Sequence, residues 1–155
     1  MKKNHCAEEK WTNNGRDSFY AVLEKNKFIG LVYTISAEKM VYMFFLAVKE
    51  EYRVKGYGSK ILENIRKMYP DKTVTLAIED IEQRNAENLE ERIKRLEFYE
   101  RNGFIRLYIK INELGVVYEL MGTDATVTKK DFLKLMKDYF GVFLFKIIYR
   151  KTKLD

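Results

Sequence analysis

A glycine loop between a strand and a helix is the feature that most limits how this chain can fold. An apolar run, Met40–Val48, is followed by the pattern Arg53-x-x-Gly56-x-Gly58, and a segment of helical period begins at Ser59. A helix N-terminus leaves several backbone N–H donors without partners, and glycines let a ligand approach that backbone closely. The order strand, basic glycine loop, helix favours a phosphate or diphosphate site. A plain tight turn fits the glycines alone equally well.

The remaining pattern predicts a mixed α/β chain. Met40–Val48 is apolar at nearly every position and is predicted to be buried on both faces, whereas Met1 to about Asp17 is polar, aperiodic and predicted to be loose. A final apolar run, Tyr139–Tyr149, is expected to cover the sheet or to pair with a second copy in a homodimer. The other predicted strands are Phe19–Glu24, Phe28–Ser36, Thr73–Ile78, Phe104–Ile111, Val116–Met121 and an extended Val142–Tyr149, with a hairpin turn at Lys25-Asn26 between the first two. The predicted helices are Ser59–Tyr69, Asn88 to a stop at Asn102-Gly103, and Lys129–Phe140, which a capping box of Thr128 with Asp131 opens and Gly141 ends. Each of the first two helices is expected to carry one apolar stripe: Ile61, Leu62, Ile65, Met68 and Tyr69 on the first, and Leu89, Ile93, Leu96 and Tyr99 on the second.

Composition excludes several classes of protein. With 155 residues, 46% of them hydrophobic and 14% aromatic, the chain is expected to form one globular domain, 1–155, with a real core. The single cysteine, Cys6, cannot form an internal disulfide, and no signal-peptide pattern is present, so we expect a cytoplasmic protein. The apolar run near the end is too short to span a bilayer, and we expect no membrane partner.

The net charge of +6 does not by itself indicate nucleic acid. Lysines and arginines are spread along the chain and alternate with acids, so no basic stripe forms. A moderately basic protein that binds a polyanionic small molecule explains the charge as well. No cluster of His, Cys, Asp and Glu has metal-ligand spacing, and we expect no metal.

Two segments resemble the GNAT superfamily of N-acetyltransferases. The run Phe45-Leu46-Ala47-Val48 followed by Glu51 to Leu62 resembles its acetyl-coenzyme A motif, Gln or Arg, two residues, Gly, one residue, Gly or Ala. The segment Glu97–Phe104 resembles the family's helix that ends in Phe-Tyr, a short gap and Gly-Phe. The resemblance covers about Phe19 to Met121. It implies a GNAT-type α/β fold, with a mixed, mostly antiparallel central sheet and helices on both faces.

The resemblance also implies a site for acetyl-coenzyme A. The loop amides would hold the diphosphate, with Arg53 and Lys55 as charge partners, and the end of the apolar strand would pair with the pantetheine arm. Many members carry a cofactor-binding Asn on the later helix, where this chain has Arg92, with Asn88 one turn earlier. The implied contacts are Leu46, Ala47, Val48, Arg53, Val54, Lys55, Gly56, Tyr57, Gly58, Ser59, Asn88 and Arg92.

The implied chemistry is direct attack of a primary amine on the thioester. Tyr99 matches the family tyrosine that can protonate the departing thiolate, although it also fits a core aromatic on its helix. Glu79 is our candidate for the base that takes the amine proton, directly or through water, and a solvated carboxylate at the strand end fits it equally well. Asp80 and Glu82 are weaker candidates.

The chain departs from the family at its amino-terminal end. Members begin with a strand and one or two helices that wall the acceptor site, whereas about seventeen polar residues precede the first clear strand here. The acceptor pocket is therefore expected to be incomplete, and the sequence does not identify the amine. A module or regulator that binds acetyl-coenzyme A without catalysis is the alternative function.

Overall fold

The computed structural model describes residues 16–153 and the backbone of residues 6–13. The chain divides into two compact units, residues 1–72 and 73–155, which are described in turn. The single domain stays a prediction. The strands are β1 Cys6–Asn13, β2 Asp17–Glu24, β3 Lys27–Ser36, β4 Met40–Val48, β5 Thr73–Glu79, β6 Ile105–Glu113 and β7 Val116–Gly122, and the helices are α1 Tyr57–Met68, α2 Leu89–Arg101 and α3 Lys129–Ile148.

The first unit contains a meander of four antiparallel strands, β1 to β4. The turn between β2 and β3 has Lys25 at φ 50° and Asn26 at φ 62°. Two consecutive left-handed residues form the two-residue turn whose twist matches that of paired strands. The predicted hairpin around these two residues is confirmed.

Strand β1 corrects the prediction of a loose amino-terminal end. Its backbone pairs with β2 continuously, from Cys6 opposite Glu24 to Asn13 opposite Asp17. The segment lacks a clear apolar alternation, and a strand at a sheet edge takes its register from backbone pairing while carrying charged side chains. The prediction is wrong for residues 6–13, and residues 1–5, 14 and 15 lie outside the described chain.

Strand β4 changes character at its middle. Residues 40–43 are buried, whereas residues 44–48 alternate between half-buried and exposed. Tyr33 faces Phe45 and Thr34 faces Met43, so Phe44 is an extra residue that forms a β-bulge. A bulge interrupts the ladder and re-aims the strand. The prediction of burial on both faces is therefore wrong for residues 44–48.

The end of β4 lies very close to β3. A Cβ atom placed on Gly30 would lie 2.2 Å from the carbonyl oxygen of Ala47, which no real side chain tolerates. Just beyond the strand, the Lys49 amide donates to the carbonyl of Ile29 at 2.8 Å. Only glycine at position 30 allows this approach, which fixes where the chain leaves β4 and enters the glycine loop.

Helix α1 follows the glycine loop and carries the predicted apolar stripe except at Met68, the last residue of the helix, which is 38% exposed. Ile61, Leu62 and Ile65 are buried, and Pro70 lies just beyond the helix end. Lys72 then donates to the Ser36 hydroxyl at 2.8 Å and to the Ala37 carbonyl at 2.7 Å, which fastens the end of the unit to the β3–β4 turn.

The second unit contains β5, β7 and β6 in antiparallel order, with β7 in the middle. Helix α2 differs from its predicted stripe at one position. Arg92 is buried and Ile93 is 39% exposed, so the inward face is Leu89, Arg92, Leu96 and Tyr99. The prediction that Ile93 faces inward is wrong. Arg92 takes the inward position because its guanidinium finds hydrogen-bond acceptors inside this unit.

Helix α3 begins at the predicted capping box, in which Thr128 and Asp131 exchange hydrogen bonds. Gly141, at φ 75° and ψ 163°, interrupts the helix as predicted, but residues 142–148 are helical again. The prediction of an extended Val142–Tyr149 is wrong, since Tyr149 anchors a second helical stretch through a hydrogen bond to Glu113 at 2.6 Å. None of the helices in the described residues has the length and apolarity needed to cross a membrane.

Gly30→Ala is expected to lower the free energy of unfolding by about 3 kcal/mol, because the new methyl group meets a backbone carbonyl that cannot turn away. The matched control is Gly56→Ala, whose Cβ meets nothing within 4 Å and which, at φ 80° and ψ 1°, carries only left-handed strain of about 1 kcal/mol. Urea unfolding of the two variants checks this, and equal losses of stability would contradict the close approach.

Candidate functional site

The glycine loop of the first unit is shaped by two left-handed residues. A short 3-10 helix, Glu50–Tyr52, leads into the loop, and α1 begins at Tyr57. Gly56 has φ 80°, which glycine adopts without strain, but Val54 has φ 60° and is fully exposed. A β-branched residue in this conformation costs about 1–3 kcal/mol, and such strain is most often found at functional sites.

The loop presents unbonded backbone amides. Within residues 16–153, the N–H groups of Lys55, Gly56, Gly58 and Ser59 donate to no acceptor of the chain, and the first helical bond of α1 runs from Lys60 to Gly56 at 3.2 Å. Gly56 is the N-cap and supplies no side-chain acceptor. Such a group of amides at a helix N-terminus is suited to an anion.

Positive charge surrounds these amides. The Nε atom of Arg53 donates to the Val48 carbonyl at 3.1 Å, which holds the guanidinium at the junction of β4 and the loop. Lys55 lies 5.8 Å from the ring centroid of Tyr52, and Lys60 lies 5.1 Å from that of Tyr57. The loop therefore combines unbonded amides with three cations.

Two tyrosines, Tyr52 and Tyr57, link the glycine loop to the sheet of the first unit. The rings of Tyr52 and Tyr57 meet edge to face with centroids 5.5 Å apart, and the Tyr57 hydroxyl donates to the carboxylate of Glu24 on β2. The loop is thus tied to the four-stranded meander at both ends. Sequence reasoning did not foresee this support.

The second unit places Glu79 in a cluster with Asn88 and Arg92. Asn88 Nδ2 donates to Glu79 Oε2 at 3.0 Å, and Arg92 Nε lies 2.8 Å from both that oxygen and Asn88 Oδ1. Arg95 lies 3.4 Å from the other carboxylate oxygen. The hydrogen bond from Asn88, helped by the two arginines and opposed by burial, lowers the pKa of Glu79.

Arg92 is engaged on all sides by groups of its own chain. Besides Glu79 and Asn88, its Nη1 atom donates to the Asp80 carbonyl and to Gln83 Oε1, both at 2.9 Å. A guanidinium held in this way orders the connection between β5 and α2. The predicted cofactor contacts of Asn88 and Arg92 stay predictions, and both side chains hold Glu79 in place.

Tyr99 lies on the same helix but outside this cluster. Its ring packs edge to face on Phe98 and Phe104, with centroids 5.2 and 5.8 Å away. Burial, slightly opposed by Arg95, raises the pKa of Tyr99, so the phenol stays protonated at neutral pH. Its hydroxyl bonds to none of the described residues and is not sealed from solvent, since no buried side-chain oxygen there lacks a partner.

The two weaker carboxylate candidates are held by Lys110. Its Nζ atom lies 3.3 Å from Asp80 Oδ2 and also pairs with Glu82. Asp80 is buried and accepts a further hydrogen bond from the Glu82 amide at 3.1 Å. These contacts give both carboxylates a structural role in the β5–α2 connection.

Sequence reasoning missed a buried ion pair and a bulge in the second unit. Arg106 forms a bidentate pair with the fully buried Glu119, at 2.8 and 2.6 Å. Beside it, β6 carries extra residues between Arg106 and Lys110, with Tyr108 in the left-handed region at φ 56°. The sequence did contain a signal for the ion pair. Glu119 interrupts the apolar run of β7, and a buried carboxylate requires a partner.

Strand, glycine loop and helix in this order, among mostly antiparallel strands, define a mixed α/β class of protein. The model of the acetyltransferase (GNAT) domain matches residues 15–106, which is more than half of the chain, and the chain belongs to this family. Curated protein sequences include none that matches it. The predicted family is confirmed.

Solved structures show the same fold. A protein from Bacteroides thetaiotaomicron that is described as an acetyltransferase from the GNAT family aligns with a TM-score of 0.68 and 21% identity, over 83% of this chain and 76% of its own. An aminoglycoside 6'-N-acetyltransferase with coenzyme A gives 0.56 and 15%, over 74% and 76%. A GNAT acetyltransferase from Elizabethkingia anophelis with acetyl-CoA gives 0.53 and 16%, over 70% and 76%. The predicted GNAT-type fold class is confirmed.

The Glu79 cluster predicts how stability depends on pH. Because the folded protein lowers the pKa of Glu79 below 4.5, its contribution to stability is present above the unfolded pKa and is lost as the pH falls through the folded pKa. Glu79→Gln should reduce the free energy of unfolding by about 1–3 kcal/mol at pH 7. The difference from wild type should shrink in acid.

Urea unfolding at pH 7 and pH 3 measures both effects. Glu100→Gln, which removes an exposed carboxylate of α2, is the control and should change stability little at either pH. A loss in Glu79→Gln that is the same at both values would contradict the role of the ionised carboxylate.

Proposed function

We propose that this protein is an N-acetyltransferase that moves the acetyl group of acetyl-coenzyme A to a primary amine, acting in the cytoplasm. The observation that carries the proposal is the segment of residues 53–60, with its unbonded loop amides and the three cations Arg53, Lys55 and Lys60, inside the segment matched by the GNAT model. Two structural neighbours are described with coenzyme A or acetyl-CoA, which supports the same ligand here.

The loop would hold the diphosphate of the cofactor. We propose that the backbone amides of residues 54–59 donate to the phosphate oxygens while Arg53 and Lys55 neutralise their charge. The exposed half of β4 after the bulge, Leu46 to Val48, would pair with the pantetheine arm as an added strand. An amide of this strand would then polarise the thioester carbonyl as the oxyanion develops.

We propose Tyr99 as the acid that protonates the departing thiolate. The amine nitrogen forms a bond to the acetyl carbon, the carbon–sulfur bond breaks, and the phenol proton passes to sulfur. The phenol is held by Phe98 and Phe104, is protonated at neutral pH and has a hydroxyl that reaches the surface. The phenolate left behind would regain a proton from water, because its raised pKa favours the protonated phenol at neutral pH, and this restores Tyr99 for the next cycle.

We propose that Glu79 accepts the amine proton through water. Its lowered pKa makes it a weak base, so the proton would pass on to solvent and the carboxylate would return to its ion pairs with Arg92 and Arg95. An ionised carboxylate would also attract the protonated amine before attack. Asn88 and Arg92 would serve by holding Glu79 in place.

Gly56→Glu is expected to abolish micromolar binding of acetyl-coenzyme A, because it places a negative side chain among the loop amides. The control, Met68→Glu, adds the same side chain at an exposed position at the other end of α1, so it should bind like wild type. Calorimetric titration measures both. The cofactor proposal fails if wild type does not bind, or if the two variants bind equally.

Tyr99→Phe is expected to lower kcat by about 10²-fold or more while leaving the Kd for acetyl-coenzyme A unchanged, since only the hydroxyl is lost and the ring packing remains. Release of the coenzyme A thiol in the presence of a panel of primary amines, aminoglycosides included, measures the rate. Tyr139→Phe, on α3, is the control. Binding without turnover for every amine would favour the non-catalytic module, and an unchanged kcat in Tyr99→Phe would remove Tyr99 from the chemistry.

A further inference from the structure

The helical stretch after Gly141 presents an apolar face to solvent. Val142, Phe143, Leu144 and Ile147 are all exposed, and Phe143 keeps 78% of its accessible surface. A chain rarely leaves large apolar side chains together in water unless the surface binds something. These four residues belong to what we name the C-terminal apolar face.

The turn between β6 and β7 extends this face. Leu114 is 70% exposed and Val116 is 41% exposed. The Leu114 amide donates to the Ile148 carbonyl at 3.0 Å, and Thr152 exchanges hydrogen bonds with the backbone of Asn112 at 2.9 and 3.0 Å. Leu114 and Val116 thus lie beside the helical stretch and complete the C-terminal apolar face.

The exposure of this face is built into the packing. Tyr149 is buried, and its ring lies 5.1 Å from Phe145 and 6.2 Å from Phe132. Its hydroxyl donates to Glu113 at 2.6 Å. Phe145 and Tyr149 lie four residues apart and share the inward face of the helical stretch. Phe143 and Ile147 lie on the opposite face and therefore point toward solvent.

The charged side chains of the helical stretch and the residues after it, 142–153, all have one sign. Residues 142–153 contain Lys146, Arg150, Lys151 and Lys153, all exposed, and no acid. The nearby acids are engaged, Glu113 by Tyr149 and Asp138 by Lys134 at 3.1 Å. An apolar surface bordered by four cations is complementary to a surface that is apolar inside and negatively charged outside.

We propose that the C-terminal apolar face and its basic border bind the surface of an anionic lipid bilayer. The apolar side chains would enter the region between headgroups and acyl chains, and the four cations would contact the headgroups. The segment would lie on the membrane without crossing it. This interaction is separate from acetyl transfer and does not rest on the proposed function.

Other partners fit the face less well. A symmetric contact with a second copy would bring two sets of four cations together, which charge repulsion opposes. A nucleic acid or an acidic protein surface would satisfy the cations but would leave Phe143 and Ile147 without an apolar partner. Among these candidates, an anionic bilayer surface is the one that matches both properties.

Sedimentation with large unilamellar vesicles tests the proposal on the full chain. Wild type should bind vesicles of equal parts phosphatidylcholine and phosphatidylglycerol, and should bind pure phosphatidylcholine at least tenfold more weakly. Phe143→Ser with Ile147→Ser should reduce binding to the anionic vesicles at least tenfold. Lys146→Gln with Arg150→Gln should reduce it by roughly fivefold per residue removed and make it less sensitive to salt.

Two control variants distinguish binding by the C-terminal apolar face from nonspecific hydrophobic or electrostatic binding to the vesicles. Met68→Ser removes an exposed apolar side chain of α1, and Lys67→Gln removes one of its cations, and both should bind vesicles like wild type. Hydrogen exchange of wild type on vesicles should slow in residues 142–153, which tests the proposal without any variant.

Three results would overturn the proposal. The first is no binding of wild type to the anionic vesicles, and the second is binding that the face variants leave unchanged. The third is a lipid-free dimer, seen by sedimentation velocity, that Phe143→Ser with Ile147→Ser dissociates, because the face would then belong to a second copy.

Discussion

The first unit depends on one close backbone contact, that of the end of β4 with Gly30 of β3. The carbonyl of Ala47 occupies the space that any side chain at position 30 would fill. The contact fixes the direction in which the chain leaves the sheet, while the bulge at Phe44 exposes the last residues of β4. Arg53 then bonds back to Val48, and the loop amides open in front of α1. Backbone geometry, more than any side chain, thus shapes the proposed cofactor site.

The second unit is organised by buried and half-buried charges. Arg92 joins Glu79, Asn88, Asp80 and Gln83, and Arg106 neutralises Glu119 inside the β6–β7 pair. Such networks are costly to leave incomplete, so they select one arrangement of the β5–α2 connection. The proposed base is therefore held firmly but is weakened as a base. The ring of the proposed acid, Tyr99, packs on Phe98 and Phe104, and its hydroxyl keeps its proton.

Local patterns made most of the fold predictable. Three local elements are specified by neighbouring residues, and the structure confirms them: the strand Met40–Val48, the turn at Lys25-Asn26 and the capping box at Thr128. The failures have non-local causes. Strand β1 is specified by pairing with β2, Arg92 faces inward because its acceptors come from other segments, and residues 142–148 are helical because Tyr149 docks on Phe132 and Glu113. The loop could be predicted from its glycines, but its tyrosine support and the Gly30 contact could not.

The left-handed Val54 bears on how affinity would arise at this loop. A glycine or asparagine would occupy that backbone position at lower cost, so the loop is not built for maximum stability. The backbone strain at Val54 is already present in the unliganded protein. The unfavourable free energy of ordering the loop is therefore part of folding and not part of ligand binding. A diphosphate would then meet amides already in position and would lose little affinity to loop entropy. A substitution at Val54 that relieved this strain would be expected to raise the stability of the protein and to weaken ligand binding. Val54 therefore maintains the rigidity of the loop and not the stability of the fold.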